Sequence, residues 1–89
     1  MKIEVRKPTD KELTALGVKT WPIWEKEESD FDWYYDDKEI CYFLEGKVEV
    51  ELADGKVVKI QKGDLAIFAK GLSCKWHIKK KVRKHYNFE

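Results

Sequence analysis

Apolar and charged residues alternate along much of this chain with a period of two, the spacing that sends successive side chains to opposite faces of a β-strand. Val48, Val50 and Leu52 alternate with Glu49 and Glu51, and Val58 and Ile60 flank Lys59, with Asp54-Gly55 between the two runs. A two-residue turn at that dipeptide would set Val50 against Lys59 and Glu51 against Val58, an apolar residue opposite a charged one on both faces. A three-residue loop, Ala53-Asp54-Gly55 with Gly55 left-handed, instead pairs Val50 with Val58, Val48 with Ile60 and Glu49 with Lys59. The second register is expected, because it gives one apolar face and one face of paired charges.

The same reading along the rest of the chain predicts short strands at Ile3–Arg6, Thr20–Trp24, Phe31–Tyr35, Ile40–Glu45, Lys47–Leu52, Val57–Ile60, Leu65–Phe68, Ser73–Lys79 and Arg83–Phe88. One short helix or turn interrupts them near the N-terminus. Thr9 and Glu12 have the spacing of a capping box, Leu13 and Leu16 supply an apolar stripe, and Gly17 is a stop signal. Eight or nine short strands at close spacing imply an all-β fold, an antiparallel sandwich or β-barrel. No repeat, low-complexity tract or linker divides residues 1–89, so a single domain is expected.

Parity in the last two strands singles out chemistry. Leu72, Cys74, Trp76 and Ile78 share one face and Ser73, Lys75, His77 and Lys79 the other, which turns Cys74 inward and His77 outward. In the final strand Val82, Lys84, Tyr86 and Phe88 share a face, opposite Arg83, His85 and Asn87. Lys84 thereby falls among apolar residues, where a charge is costly unless paired. Such a lysine is either a functional cation or a side chain that snorkels out at the strand end.

Composition narrows the function classes. Eighty-nine residues build one small core, burying about 60–65% of the surface the unfolded chain would expose, so any site lies in or on that core. Eighteen Lys and Arg against seventeen Asp and Glu leave a net charge of +1, without the basic excess that nucleic-acid phosphates require. The run Lys79-Lys80-Lys81-Val82-Arg83-Lys84 reads as a solvated edge that discourages aggregation, or in the alternative as a basic surface that meets an anionic ligand or phosphates. A Lys- and Glu-rich chain whose only side-chain amides are Gln61 and Asn87 suggests heat adaptation. No apolar run approaches the ~20 residues that span a bilayer, and the start MKIEVRKPTDKE lacks a signal-peptide core, so a cytoplasmic protein without membrane partners is expected. In that reducing compartment Cys41 and Cys74, which form no CxxC or CxxH motif, are read as free thiols. Edge strands and aromatic residues fit either a monomer or a homodimer.

Two segments carry a family resemblance. EICYFLEG, Glu39 to Gly46, resembles the end of the first cupin motif, a glutamate followed after six residues by a glycine. GDLAIFAKGLSC, Gly63 to Cys74, resembles the second motif, with Gly63 and Gly71 in place, Ala69 at the usual proline and Cys74 at the usual histidine. With Trp33, the Cys-x-Trp of Cys74 and Trp76, and the closing VRKHYNF, the chain resembles the small cupins related to (S)-ureidoglycine aminohydrolase and to an ethanolamine-utilisation protein. That resemblance implies a cupin-type β-barrel or jelly roll. The two metal-binding histidines expected before the glutamate are replaced by Asp32 and Tyr34 or by Trp33 and Tyr35, so no metal at the usual position and no cofactor is expected.

The resemblance also implies an interior pocket. Glu39, Cys74 and Lys84 are its candidate catalytic residues, and Trp33, Tyr35 and Trp76 its candidate ligand-binding residues. Aromatic walls bury a small ligand while a few polar groups orient it. If Glu39 and Lys84 meet, each accounts for the burial of the other, either as an acid/base pair or as a structural ion pair. Cys74 has no inward histidine, so a nucleophilic role would need a cation such as Lys84 to lower its pKa. Two readings follow. One is a small-molecule-binding cupin acting without metal on a small polar nitrogen-containing or carboxylated metabolite, and the other a non-catalytic ligand sensor or homodimerising interaction module.

Overall fold

A computed structural model describes residues 3–89. Seven strands, all paired antiparallel, form one sheet: β1 (Ile3–Arg6), β2 (Ile23–Lys26), β3 (Ser29–Tyr34), β4 (Glu39–Leu52), β5 (Val57–Gln61), β6 (Leu65–Phe68) and β7 (Ser73–Phe88). Helix α1 (Asp10–Leu16) and a 3₁₀ turn (Val18–Thr20) lie between β1 and β2. The path is β1-β6-β4-β7-β2, with β5 also on β4 and β3 also on β7. The all-β expectation therefore holds.

Two long strands do the work of four expected short ones. Residues 40–45 and 47–52 belong to the single strand β4, and residues 73–79 and 83–88 to β7. The break read near Gly46 is a bulge: pairing with β7 shifts register between Phe43 and Val48. Across it the buried positions on the inner face of β4 change from Glu39, Cys41 and Phe43 to Val48 and Val50, while Ile40 is buried on the opposite face. The bulge thus resets the parity, so that both halves of a bent strand face the same core. Gly46 has φ 108°, and a Cβ there would stand 2.5 Å from the Lys81 carbonyl oxygen and 2.7 Å from Val82 Cα. Only glycine lets β4 and β7 approach so closely at this conformation.

The hairpin register is the expected one, Val50 opposite Val58, Val48 opposite Ile60 and Glu49 opposite Lys59. Gly55 is left-handed, at φ 88°. Helix α1 is capped by Thr9, whose side chain accepts from the Glu12 N–H at 3.1 Å, and ends at Gly17 in the left-handed region. The reciprocal half of the capping box is not used, because the Glu12 carboxylate pairs with Arg6 of the preceding strand. The strand expected at Thr20–Trp24 starts later, at Ile23, since residues 18–20 complete a 3₁₀ turn first. The core is aromatic at its centre: Tyr35 stacks on Phe68 with ring centroids 4.7 Å apart, and Phe43 and Phe68 both pack on Trp76. Cys41 and Cys74 are both buried and free.

Candidate functional site

Lys84 enters the interior from the second half of β7, between Phe43 of β4 on one side and Trp24 of β2 on the other, its two cross-strand partners. Glu39 opens β4 opposite Phe88 and points to the same face. The two side chains meet: Lys84 Nζ donates to Glu39 Oε2 at 2.8 Å, and both are buried. The ammonium is also surrounded by aromatic rings, 4.7 Å from the Trp76 centroid, 4.9 Å from Trp24, 5.7 Å from Phe43 and 5.9 Å from Phe68. Ring faces attract a cation most where water is excluded. Carboxylate and rings together give Lys84 the partners its burial requires, and it does not snorkel to solvent.

A cavity of about 220 Å³ opens beside this pair. Trp33, Tyr35 and Trp76 line it with Glu39 and Lys84, as do Trp24, Phe31, Tyr86 and Phe88. Parity had already put Tyr86 and Phe88 on the face of Lys84. Trp24 and Phe31 carry no such local signal, because β2 and β3 reach the site only by pairing with β7, Trp24 opposite Lys84 and Phe31 opposite Trp76. Cys74 shares the inward face but is not on the cavity wall; its Sγ lies 3.8 Å from the Trp33 carbonyl oxygen.

Burial governs the protonation of the neighbouring groups. It pushes the Cys74 thiol up to about 11 and the Cys41 thiol up to about 12, with the Lys84 charge opposing both shifts. Tyr35 is raised by burial and then by the Glu39 charge, so its hydroxyl stays protonated and can donate. The Trp76 indole N–H, buried with no partner in hydrogen-bond geometry among the described residues, opposes the shifts of Tyr35 and Cys74. A thiol held this high is a poor nucleophile near neutral pH.

The donors at this position do not fit a metal. The carboxylate of Glu39 already accepts from an ammonium, and a second cation there would be repelled by Lys84. Of the residues standing where cupin histidines would be, Asp32 and Tyr34 are exposed and Trp33 and Tyr35 offer no imidazole. No group of three or more His, Cys, Asp or Glu suited to a metal occurs among the described residues. His77 and His85 both lie on the outer face, as parity predicts: His77 bridges Asp30 at 2.7 Å and Glu51 at 3.1 Å, and His85 Nδ1 lies 2.9 Å from the Trp21 carbonyl oxygen. Among the described residues no helix is long and apolar enough to cross a membrane.

Comparison with known proteins places this geometry. A solved structure of a DUF861 family protein from Thermotoga maritima is 57% identical and superimposes with a TM-score of 0.97, over 99% of this chain and 100% of that one. An ethanolamine utilization protein Q from Salmonella typhimurium LT2 is 26% identical with a TM-score of 0.67 over 74% of this chain, and the EutQ protein of Clostridium difficile is 27% identical with a TM-score of 0.68 over 74%. The chain spans only about half of those two, 53% and 52% of their lengths. No curated protein matches it. The model of the EutQ-like cupin domain matches residues 13–86, most of the length, and the chain belongs to that cupin family.

Proposed function

We propose that this protein is a small-molecule-binding cupin that acts without metal on a small polar metabolite, nitrogen-containing or carboxylated, held in the interior cavity. The observation that carries the reading is the Lys84–Glu39 pair, 2.8 Å apart and buried beside an aromatic-walled cavity. Lys84 has N–H groups beyond the one given to Glu39, and Glu39 has a second carboxylate oxygen. Together they offer a donor next to an acceptor. An amide, ureido or carboxylic group presents the matching edge, and its flat body suits the walls of Trp33, Tyr35 and Trp76. A cavity of about 220 Å³ lies below the usual ~300–1,000 Å³ of drug-sized sites, which favours a metabolite of few heavy atoms.

In this reading Glu39 takes a proton from the bound substrate and Lys84 supplies one to the leaving or developing anionic group. Tyr35 orients the substrate through its hydroxyl, while Cys74, off the cavity wall, takes no covalent part. The sequence resemblance to (S)-ureidoglycine aminohydrolase and the ethanolamine-utilization names of the two half-covered neighbours both support nitrogenous substrates. One fold hosts many chemistries, so the site and not the fold bears the weight. The second reading, a ligand sensor, draws on the same pair: Glu39 and Lys84 neutralise each other, so a ligand can bind with no reaction following. The Lys/Glu-rich composition and the free thiols support a heat-adapted cytoplasmic protein.

A thermal-shift screen with small amides, ureides, amines and carboxylates tests the proposal, because a ligand that binds the native state raises its melting temperature by mass action. Stabilisation by members of one class, lost in both Glu39→Gln and Lys84→Met, is the expected result. Stabilisation that persists in both variants would remove the pair from the site. Turnover of the stabilising compound separates the enzyme from the sensor.

A further inference from the structure

A second and larger cavity lies on the opposite side of the sheet. Helix α1 has no buried residue, and Leu13 of its apolar stripe is only half-buried. The helix therefore stands away from the strands beneath it and leaves a space of about 620 Å³. Its walls include Leu13 and Thr14 of the helix, Val18 and Thr20 of the 3₁₀ turn, the Thr20 hydroxyl donating to the Gly17 carbonyl oxygen, and Tyr42, Leu44 and His85 from the outer faces of β4 and β7. Elsewhere those outer faces carry charge, as at Glu49, Glu51, Lys75 and Lys79. Around this cavity they are apolar and aromatic, with Tyr42 directly opposite His85.

The polar groups in this space are specific. His85 Nδ1 lies 2.9 Å from the backbone carbonyl oxygen of Trp21. A carbonyl only accepts, so Nδ1 carries the proton, and in the neutral ring Nε2 is left as an acceptor. Nε2 has no hydrogen-bond partner among the described residues, and the Tyr42 hydroxyl across the strand pair can donate or accept. The two charged residues at the cavity, Asp10 and Lys19, have opposite signs and select no ion.

We propose that the cavity between helix α1 and the outer face of β4 and β7 is a second ligand site, which takes a small neutral apolar molecule bearing one hydroxyl. The hydroxyl donates to His85 Nε2 and accepts from Tyr42, while the apolar body fills the space between Leu13, Val18 and Leu44. This site is independent of the interior one: along β7, Lys84 faces the inner cavity and the next residue, His85, faces this one. A volume of about 620 Å³ falls within the usual range of ligand sites, roughly 300–1,000 Å³.

Titration of the isotope-labelled protein with phenol, and in parallel with toluene as the same ring without a hydroxyl, tests the assignment by NMR. Phenol is expected to shift the Leu13 and Leu44 methyl signals and the His85 ring nitrogens saturably, with toluene about five- to tenfold weaker because it makes no hydrogen bond. His85→Phe is expected to remove that preference. Tyr42→Phe, which keeps the packing and the His85 contact with Trp21, is expected to reduce it. Equal affinity for phenol and toluene at Leu13 and Leu44 overturns the proposal. So does the absence of saturable shifts at these residues, or shifts confined to the Trp24 and Trp76 indoles of the inner cavity.

Discussion

Strand β7 carries two charged clusters, one on each face, and they differ in almost everything except the attraction between their charges. Inside, Lys84 and Glu39 are each only 6% exposed at the side chain and form one bond of 2.8 Å. Outside, His77 is 24% exposed and lies between Asp30 and Glu51, whose own side chains are 70% and 47% exposed. Water can replace a lost partner on the outer face and cannot on the inner one. The inner pair gains a strong attraction at a desolvation cost of several kcal/mol per ion, whereas the attraction in the exposed cluster is largely screened by water. Similar contacts therefore carry different consequences, and the difference is solvent.

The largest effect should come from breaking the inner pair. Glu39→Gln or Lys84→Met leaves one charge buried without its partner and is expected to cost about 3–5 kcal/mol in urea unfolding. The double variant Glu39→Leu/Lys84→Met should recover most of that loss, because no uncompensated charge remains. A double variant as unstable as the worse single one would refute the role given to desolvation.

Gly46→Ala tests the bulge that brings both halves of β4 onto the inner face. The added Cβ would meet the Lys81 backbone at an already unfavourable φ, at a cost of about 2–4 kcal/mol in the same melts. An unchanged midpoint would show that β4 and β7 can separate there freely.

A smaller signature is the reactivity of the inner thiols. With Cys41 held up to about 12 and Cys74 up to about 11 by burial, neither should react with a thiol reagent at neutral pH until the protein unfolds. Rapid labelling of the native protein would mean that water reaches the inner face.

The smallest effect belongs to the outer cluster. Hydrogen bonds to Asp30 and then Glu51 raise the pKa of His77 above its ordinary value of 6.5. The folded state therefore binds this proton more tightly than the unfolded one. Its stabilisation is fully present below pH 6.5 and is lost as pH rises through the raised value. Melting temperature should fall slightly across that window, and His77→Gln should flatten the slope. A slope unchanged in the variant would assign it to other groups.

Much of this could be read from local pattern. The β4–β5 register followed from matching charged and apolar positions, and it is the one observed at Val48, Val50, Val58 and Ile60. The inward turn of Trp76 and Lys84 and the outward turn of His77 and His85 followed from parity within the two short strands expected at residues 73–79 and 83–88. The break at Gly46 was visible too, although as an end between two strands and not as a bulge within one. Local pattern failed where a residue's place depends on pairing between distant segments. Trp24 and Phe31 become cavity walls because β2 and β3 line up along the same edge of β7. Cys74 faces inward as expected, yet stands off the cavity because parity gives a face and not a position on it.

Strand periodicity, the helix cap at Thr9, the turn at Gly55 and the inner or outer face of Glu49, Lys59, Lys75, His77, Lys79, Lys84 and His85 were legible in the sequence, since each depends on neighbours a few positions away. Tertiary structure alone decided that the Lys84 ammonium reaches the Glu39 carboxylate, 45 residues earlier, inside a cage of rings. It also opened a space beneath α1 over Tyr42 and His85. The physical reason is that a period of two specifies direction, while contact also requires register and curvature, and those are set only when the whole sheet closes around one core.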